Sequence, residues 1–161
     1  METRKTKLGA DHPSTLTSIG YLASTYQGQG RWEEAKKLEV QVMETSTTKL
    51  GADHPSTLTS MANLASTYWN QGRWDEAEVL QAKQLELCSM KLGQRHPDTL
   101  ISMKNLVFVW KGMGRHEDAL GLLQSCSDLR QQVLGASHPY TASTLSTLKA
   151  WRKENEQGPV Q

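Results

Sequence analysis

Apolar residues recur along the chain at the spacing of one face of a helix. In the stretch that follows His54-Pro55 they occupy the first, fourth, seventh, eighth and eleventh positions, namely Leu58, Met61, Leu64, Ala65 and Tyr68. At about 100° per residue these positions fall on one side of an α-helix. Proline suits the first helical position, and either His54 or Asp53 can cap the helix, so the pattern predicts a helix that begins at Pro55.

A second helix is predicted after a short turn at residues 70–72. It begins near Arg73 or Trp74, and two acidic residues in its first turn complement the helix dipole. It runs to about Lys91, and Gly93 suits a left-handed cap just beyond it. The stretch therefore predicts a pair of helices joined by a tight turn.

The same pattern returns at a fixed interval. Copies begin at Leu8, Leu50, Leu92 and Leu134, each 42 residues after the one before. A fixed period of this size is typical of a solenoid, in which each helix pair buries its apolar face against its neighbours. We therefore predict an all-α solenoid of antiparallel helix pairs. Besides the pair just described, helices are expected at about 13–27, 31–49, 97–111, 115–133 and 139–152, with a helical stub at 1–8.

The repeats predict a single domain over residues 1–152 and a polar tail over 153–161. The domain divides into the end of a truncated preceding repeat, three repeats and a half repeat that caps the array, with bounds 1–7, 8–49, 50–91, 92–133 and 134–152. The first residues, METRKTK, align with the end of a second helix. This alignment favours a fragment of a longer array over a naturally incomplete first repeat.

Charge, apolar content and cysteines indicate which classes of partner and which cellular compartment to expect. A net charge of +1 gives no reason to expect nucleic acid or a membrane as a partner. There is no run of about 18 apolar residues, and the amino-terminal residues lack the apolar segment of a signal peptide. The two cysteines, Cys88 and Cys126, occupy different repeat positions, so we expect free thiols and a cytoplasmic protein.

Residues that could act as metal ligands, phosphate-binding loops or catalytic groups occupy recurring positions of the repeat, where structural roles account for them. The histidines of the His-Pro pairs recur at the repeat period, which holds successive ones at least about 10 Å apart, whereas zinc ligands lie about 2 Å from one centre. Paired glycines at 28–30 and 112–114 lack the rest of a phosphate-binding motif and predict turns. Packing beside the turn is favoured over ligand contact for Trp32, Trp74 and His116. No nucleophile recurs beside a base and an acid, so we expect no enzyme activity, no cofactor and no metal.

The motif Leu-Ala-x-x-Tyr at Leu22–Tyr26, followed by Ala35, resembles the tetratricopeptide repeat, and its equivalents recur in the next two repeats. The 42-residue period and the opening LG-x-x-HP-x-T-L resemble the kinesin light chain type of that repeat. The common form has about 34 residues and a leading Trp, where this chain has Ile19, Met61 and Met103. The resemblance implies a right-handed superhelix with a concave groove, and a protein-binding role.

The first helix of each repeat would line that groove with the side opposite its apolar face. Residues there change between repeats, and the first repeat offers mainly Thr, Ser and Gly. Asparagine amides can bond both peptide groups, and apolar side chains and lysines flank them. The candidate partner-binding residues are Thr59, Asn63, Ser66, Trp69, Asn70, Ile101, Lys104, Asn105, Phe108 and Lys111. We expect a partner across residues 59–112, with an apolar anchor near Phe108 and an acidic residue facing Lys104 or Lys111. Drift of a solvent-facing stripe would also explain the variation.

These features lead to two hypotheses on function. In the first, the chain is a non-enzymatic interaction module that binds a peptide segment of a partner protein in its groove. In the alternative, it is a sensor or scaffold arm of a larger nucleotide-binding signalling protein and has no ligand of its own. Self-association through exposed terminal helices is a further option.

Overall fold

The computed structural model describes residues 9–158. Within that range the chain forms seven α-helices and no strands, which confirms the predicted all-α fold. The helices are α1 Pro13–Gly28, α2 Trp32–Leu50, α3 Pro55–Asn70, α4 Trp74–Leu92, α5 Pro97–Gly112, α6 His116–Leu134 and α7 Pro139–Gln157. The predicted stub at residues 1–8 lies outside the described residues.

Helix bounds agree closely with those predicted, except at the end of α7. This helix runs to Gln157, so residues 153–157 of the predicted tail are helical. The sequence from 140 to 157 contains neither glycine nor proline, and the helix ends where Gly158 adopts a positive φ of 67°. Polar composition alone therefore did not mark the end of the helix.

The chain divides within α4 into two compact units, an amino-terminal unit that ends at Leu87 and a carboxy-terminal unit that begins at Cys88. In the amino-terminal unit, α2 packs against both α1 and α3. In the carboxy-terminal unit, α6 packs against both α5 and α7. Each unit thus stacks successive first helices on a shared second helix.

The predicted apolar stripes form the core of both units. In the amino-terminal unit the buried members include Leu16, Ile19, Ala23, Leu58, Met61, Leu64 and Ala65. In the carboxy-terminal unit a buried cluster unites Val107, Ala119, Leu123 and Leu148, with Trp110 and Trp151 packed against its edge. Burial of this apolar surface is the main force that holds each unit together.

An arginine at the turn of each hairpin stacks on the aromatic residue that ends the apolar stripe. The guanidinium carbon lies 4.3, 4.5 and 4.8 Å from the ring centroid in the pairs Arg31–Tyr26, Arg73–Tyr68 and Arg115–Trp110. The backbone N–H of each arginine also donates to the carbonyl of its aromatic partner, at 2.9 Å in all three. The two contacts together fix the sharp turn that the recurring Gly-Arg sequence encodes.

The histidine of each His-Pro pair caps the helix that follows. Its Nδ1 accepts a hydrogen bond from the backbone N–H two residues later, at 3.1 to 3.2 Å, at His12, His54, His96 and His138. Histidine is therefore the cap where the sequence allowed either His54 or Asp53. This role accounts for the period of the histidines.

A buried threonine closes the loop between successive repeats. The hydroxyls of Thr15, Thr57 and Thr99 donate at 2.9, 2.8 and 2.8 Å to the carbonyl oxygens of Gly9, Gly51 and Gly93. These threonines are at most 1% exposed. In the half repeat, Thr141 donates instead to the Arg130 carbonyl at the longer distance of 3.4 Å.

Gly51 and Gly135, which follow the second helices of repeats one and three, have a conformation other than that of a left-handed cap. Gly51 has φ 104° and ψ 156°, and Gly135 has φ 86° and ψ 160°. The positive φ is as expected, but ψ is extended because the chain leaves the helix directly toward the next His-Pro pair. Essentially only glycine adopts this region, so the requirement for glycine is stricter than at a left-handed cap.

Candidate peptide-binding groove

The amino-terminal unit contains a groove between its two first helices, α1 and α3, with α2 at its floor. Its volume is about 410 Å³. Among the lining residues are Thr17, Tyr21 and Ser24 from α1, Thr59 and Asn63 from α3, and Ser46 from α2. The groove therefore joins the variable positions of repeats one and two.

One wall of the groove combines a large exposed ring with an open space beside it. Tyr21 is 72% exposed although its ring is the largest side chain on this wall. Next to it, Gly20 lines the groove, and a Cβ added there would meet no atom within 4 Å. The equivalent positions in the next two repeats are Ala62 and Lys104, so the missing side chain widens the groove only in repeat one.

The floor of the groove carries a hydroxyl group without a partner. Ser46 is 1% exposed, and within the described part of the chain its Oγ has no hydrogen-bond partner. A buried polar group that makes no hydrogen bond costs about 1–3 kcal/mol. A ligand that brings a polar group to this depth would recover part of that cost.

The five predicted groove residues in the amino-terminal unit are all exposed, but they do not lie together. Thr59 and Asn63 line the groove. The other three are absent from its lining: Ser66, Trp69 and Asn70. Trp69 packs edge-on against Trp74 with ring centroids 5.3 Å apart, and the Asn70 amide donates at 2.8 Å to the carbonyl of Ser66. The Trp69 ring thus packs within its own hairpin. The contact agrees with the packing beside the turn that the sequence favoured for Trp74.

In the carboxy-terminal unit, the surface of Phe108, near which the sequence predicted an apolar anchor, is only partly available. It is 40% exposed, and its ring packs edge-on against Trp151 of α7 with centroids 5.5 Å apart. The Lys104 Nζ lies 5.8 Å from the centroid of the Phe108 ring. Ile101, 52% exposed, and the half-buried Asn105 belong to the same helix, α5.

Lys111 already has a charged partner within the chain. Its Nζ lies 2.7 Å from the Glu154 carboxylate and 3.9 Å from the centroid of the Trp151 ring. Together with His116 these residues border a pocket of about 430 Å³. The sequence predicted that an acidic residue of the partner faces Lys104 or Lys111; for Lys111 that prediction did not include Glu154, which lies in the stretch taken for a polar tail.

A buried carboxyl group lies between the first two repeats. Glu39 is 4% exposed and accepts hydrogen bonds from the Thr67 hydroxyl at 2.6 Å and from the Gln27 amide at 2.7 Å. Burial raises the pKa of Glu39, and the hydrogen bond from Thr67 opposes that shift. The cluster connects α2 to both α1 and α3, and none of its residues lines the groove.

Other groups that could carry chemistry have structural roles here. Across residues 9–158, no three His, Cys, Asp or Glu side chains converge in a way that could hold a metal ion. Both cysteines are free and buried, and burial raises the pKa of the Cys126 thiol, which disfavours the reactive thiolate. No helix in the described range combines the length and the apolar content needed to cross a membrane.

The repeat pattern matches a known family over most of its length. The model for the tetratricopeptide repeat matches residues 14–78 and 59–120. The chain belongs to the tetratricopeptide repeat family. Repeats of this family generally mediate protein–protein interaction, and the fold is typically a non-catalytic scaffold.

Solved structures with kinesin light chain-like repeats are similar to this chain. Two crystal structures of a Podosopora anserina putative kinesin light chain with nearly identical TPR-like repeats match with TM-scores of 0.86 and 0.85. They are 28% and 29% identical in sequence, and each match covers 98% of this chain and 74% of the other. BtubC (BKLC) from P. vanneervenii is similar in fold, with a TM-score of 0.81 and 19% identity over 94% of this chain and 61% of the other. None of the curated proteins matches this sequence.

Proposed function

We propose that this tetratricopeptide repeat chain is a non-enzymatic interaction module of the cytoplasm that binds an extended peptide segment of a partner protein. The groove between α1 and α3 is the primary site. The surface of α5 with the exposed Ile101 and Phe108 and the half-buried Asn105 is an accessory contact surface. The free thiols of both cysteines fit a reducing compartment.

The observation that carries this proposal is the buried Ser46 hydroxyl at the floor of an open groove. In the same groove, the Asn63 amide is exposed and offers both a donor and an acceptor to a peptide backbone. Tyr21 supplies a rigid aromatic surface, and aromatic residues of this kind dominate binding energy at interfaces. Depth, polar groups and an aromatic wall are thus present in one site of suitable size.

Filling the groove tests the proposal without disturbing the fold. Gly20→Leu places a side chain in the open space beside Tyr21, and it should also stabilise the helix, since glycine costs about 1 kcal/mol in a helix interior. Gly121→Leu is the matched control, because it is the same change on α6, where an added Cβ likewise meets no atom within 4 Å. The probe is a peptide selected from a random display library on the wild-type chain.

Gly20→Leu should weaken binding of that peptide by about tenfold or more, which is about 1.4 kcal/mol, and Gly121→Leu should leave it unchanged. Ser46→Ala should also weaken binding while leaving thermal stability the same or higher, because it removes a hydroxyl that makes no bond in the free chain. If Gly20→Leu weakens none of the peptides selected on the wild-type chain, peptides bind elsewhere and the assignment of the groove is overturned.

A further inference from the structure

The amino-terminal unit has a second groove, formed by its second helices. It lies between α2 and α4, has a volume of about 460 Å³, and shares no lining residue with the groove between α1 and α3. Its apolar part comes from Val40 and Met43 on α2 and from Val79 and Leu80 on α4. Leu64 and Tyr68 of α3 complete the lining.

Val79 is the feature of this groove that the fold does not require. It lies in the second turn of α4 and is 68% exposed, so it contributes little to the core of the unit. The equivalent positions of the other repeats hold Lys37 and Gly121. A single exposed valine is unremarkable, but this one continues a surface with Leu80, Val40 and Met43.

Charge determines what kind of partner fits. The charged residues that line the groove are all acidic, Glu44, Asp75 and Glu76. Glu76 is partly neutralised by Arg73, whose guanidinium lies 2.7 Å away, whereas Glu44 and Asp75 are exposed at either side. Such a rim attracts cationic groups and repels the phosphates of nucleic acids and anionic lipids.

We propose that the groove between α2 and α4 is a second docking surface, for a protein segment that places an apolar side chain on Val79 and Lys or Arg residues against Asp75 and Glu44. The apolar contact supplies most of the affinity, since exposed ion pairs contribute little. The carboxylates select basic over acidic segments and make association depend on salt.

The test uses the full chain with Gly20→Leu, so that the groove between α1 and α3 is blocked and binding there is not required. Peptides are selected on this variant from a random display library. Their affinities are then measured for this variant and for the same variant with the additional Val79→Lys change. Lysine is compatible with a helix at this position, because Lys37 occupies it in repeat one. Gly121→Lys, which adds the same charge at the equivalent position of repeat three, is the matched control.

The selected peptides should carry one or two large apolar residues close to Lys or Arg. Val79→Lys should weaken them by about tenfold or more, about 1.4 kcal/mol, and Gly121→Lys should have no comparable effect. The proposal is overturned if no peptide is enriched, if the enriched peptides are acidic, or if both lysines weaken binding equally, since that would reflect net charge alone. Success or failure of this test does not affect the assignment of the groove between α1 and α3, which is tested separately.

Discussion

Replacing Thr57 by valine isolates the hydrogen bond that closes the loop between repeats one and two. The two side chains have nearly the same shape, so the change leaves no cavity, and both are β-branched with similar helix propensities. Thr57 is fully buried, and its hydroxyl donates to the Gly51 carbonyl at 2.8 Å. That carbonyl also accepts from the His54 N–H, at 3.3 Å.

The loss of unfolding free energy in Thr57→Val can be estimated from these two hydrogen bonds. Loss of one buried hydrogen bond costs a net of about 0.5–1.5 kcal/mol. Because the Gly51 carbonyl keeps the His54 N–H as a weaker donor, it is not left wholly unsatisfied, and we expect about 1 kcal/mol rather than the larger penalty of an orphaned group. With a urea m-value of about 2 kcal/mol/M, the midpoint should fall by about 0.5 M.

Urea titration followed by circular dichroism measures the shift, and Thr59→Val is the matched control. Thr59 is exposed and its hydroxyl donates within its own helix, to the Pro55 carbonyl at 3.0 Å, so the change there should cost under about 0.5 kcal/mol. The equivalent change at Thr99 should match that at Thr57. At Thr141, where the bond is longer, the loss should be smaller. Equal shifts at Thr57 and Thr59 would refute the role of the loop bond.

Two further predictions concern the core. Leu64→Ala should destabilise the chain by about 2–5 kcal/mol, because the side chain is buried and its removal leaves a cavity. Lys83→Ala, at an exposed position, is the control and should cost under about 0.5 kcal/mol. Similar losses for the two variants in urea titrations would show that the buried face is wrongly assigned. Because burial raises the pKa of Glu39, its contribution to stability is present below the unfolded-state pKa and is lost as pH rises through the folded-state pKa. The melting temperature of Glu39→Gln minus that of the wild type should therefore increase from acid toward neutral pH. A difference that does not change with pH would contradict this.

The fold was predictable because its determinants are local and repeated. The stripe from Leu58 to Tyr68 predicts a buried face, and the fixed period predicts that successive helix pairs stack. The role of Thr57 was not predictable in this way, although it recurs at every repeat. A threonine in the first turn of a helix suggests capping or solvent, and its actual acceptor, the Gly51 carbonyl, is apparent only once the loop is closed.

The candidate site was predictable only in part. Variation between repeats marked Thr59 and Asn63, which line the groove, but it also marked Trp69, which packs on Trp74. Variation shows that a position is free to change and does not show which neighbour covers it. The pairing of Lys111 with Glu154 joins residues that are 43 apart in sequence, and no local pattern contains such a contact.

Buried polar groups distinguish the helix stacks that the apolar stripes leave alike. In the amino-terminal unit, Glu39 bonds both Gln27 of α1 and Thr67 of α3. In the carboxy-terminal unit, Arg130 of α6 is 5% exposed and donates to Thr144 of α7 at 2.7 Å. Each cluster thus crosses from a second helix to the first helix of the following repeat.

These clusters are specific to their repeats. The equivalents of Glu39 are Gln81 and Leu123, and the equivalents of Arg130 are Ser46 and Cys88. If repeat three were stacked on α2 instead, Val109 would replace Thr67, and Glu39 would keep the hydrogen bond from Gln27 of its own repeat but lose the one from Thr67, which costs about 1.5–3 kcal/mol when the acceptor is charged. Apolar packing alone would tolerate the exchange, because the stripes have nearly the same shape in every repeat. The polar clusters therefore favour one order of neighbours in an array whose apolar surfaces permit several.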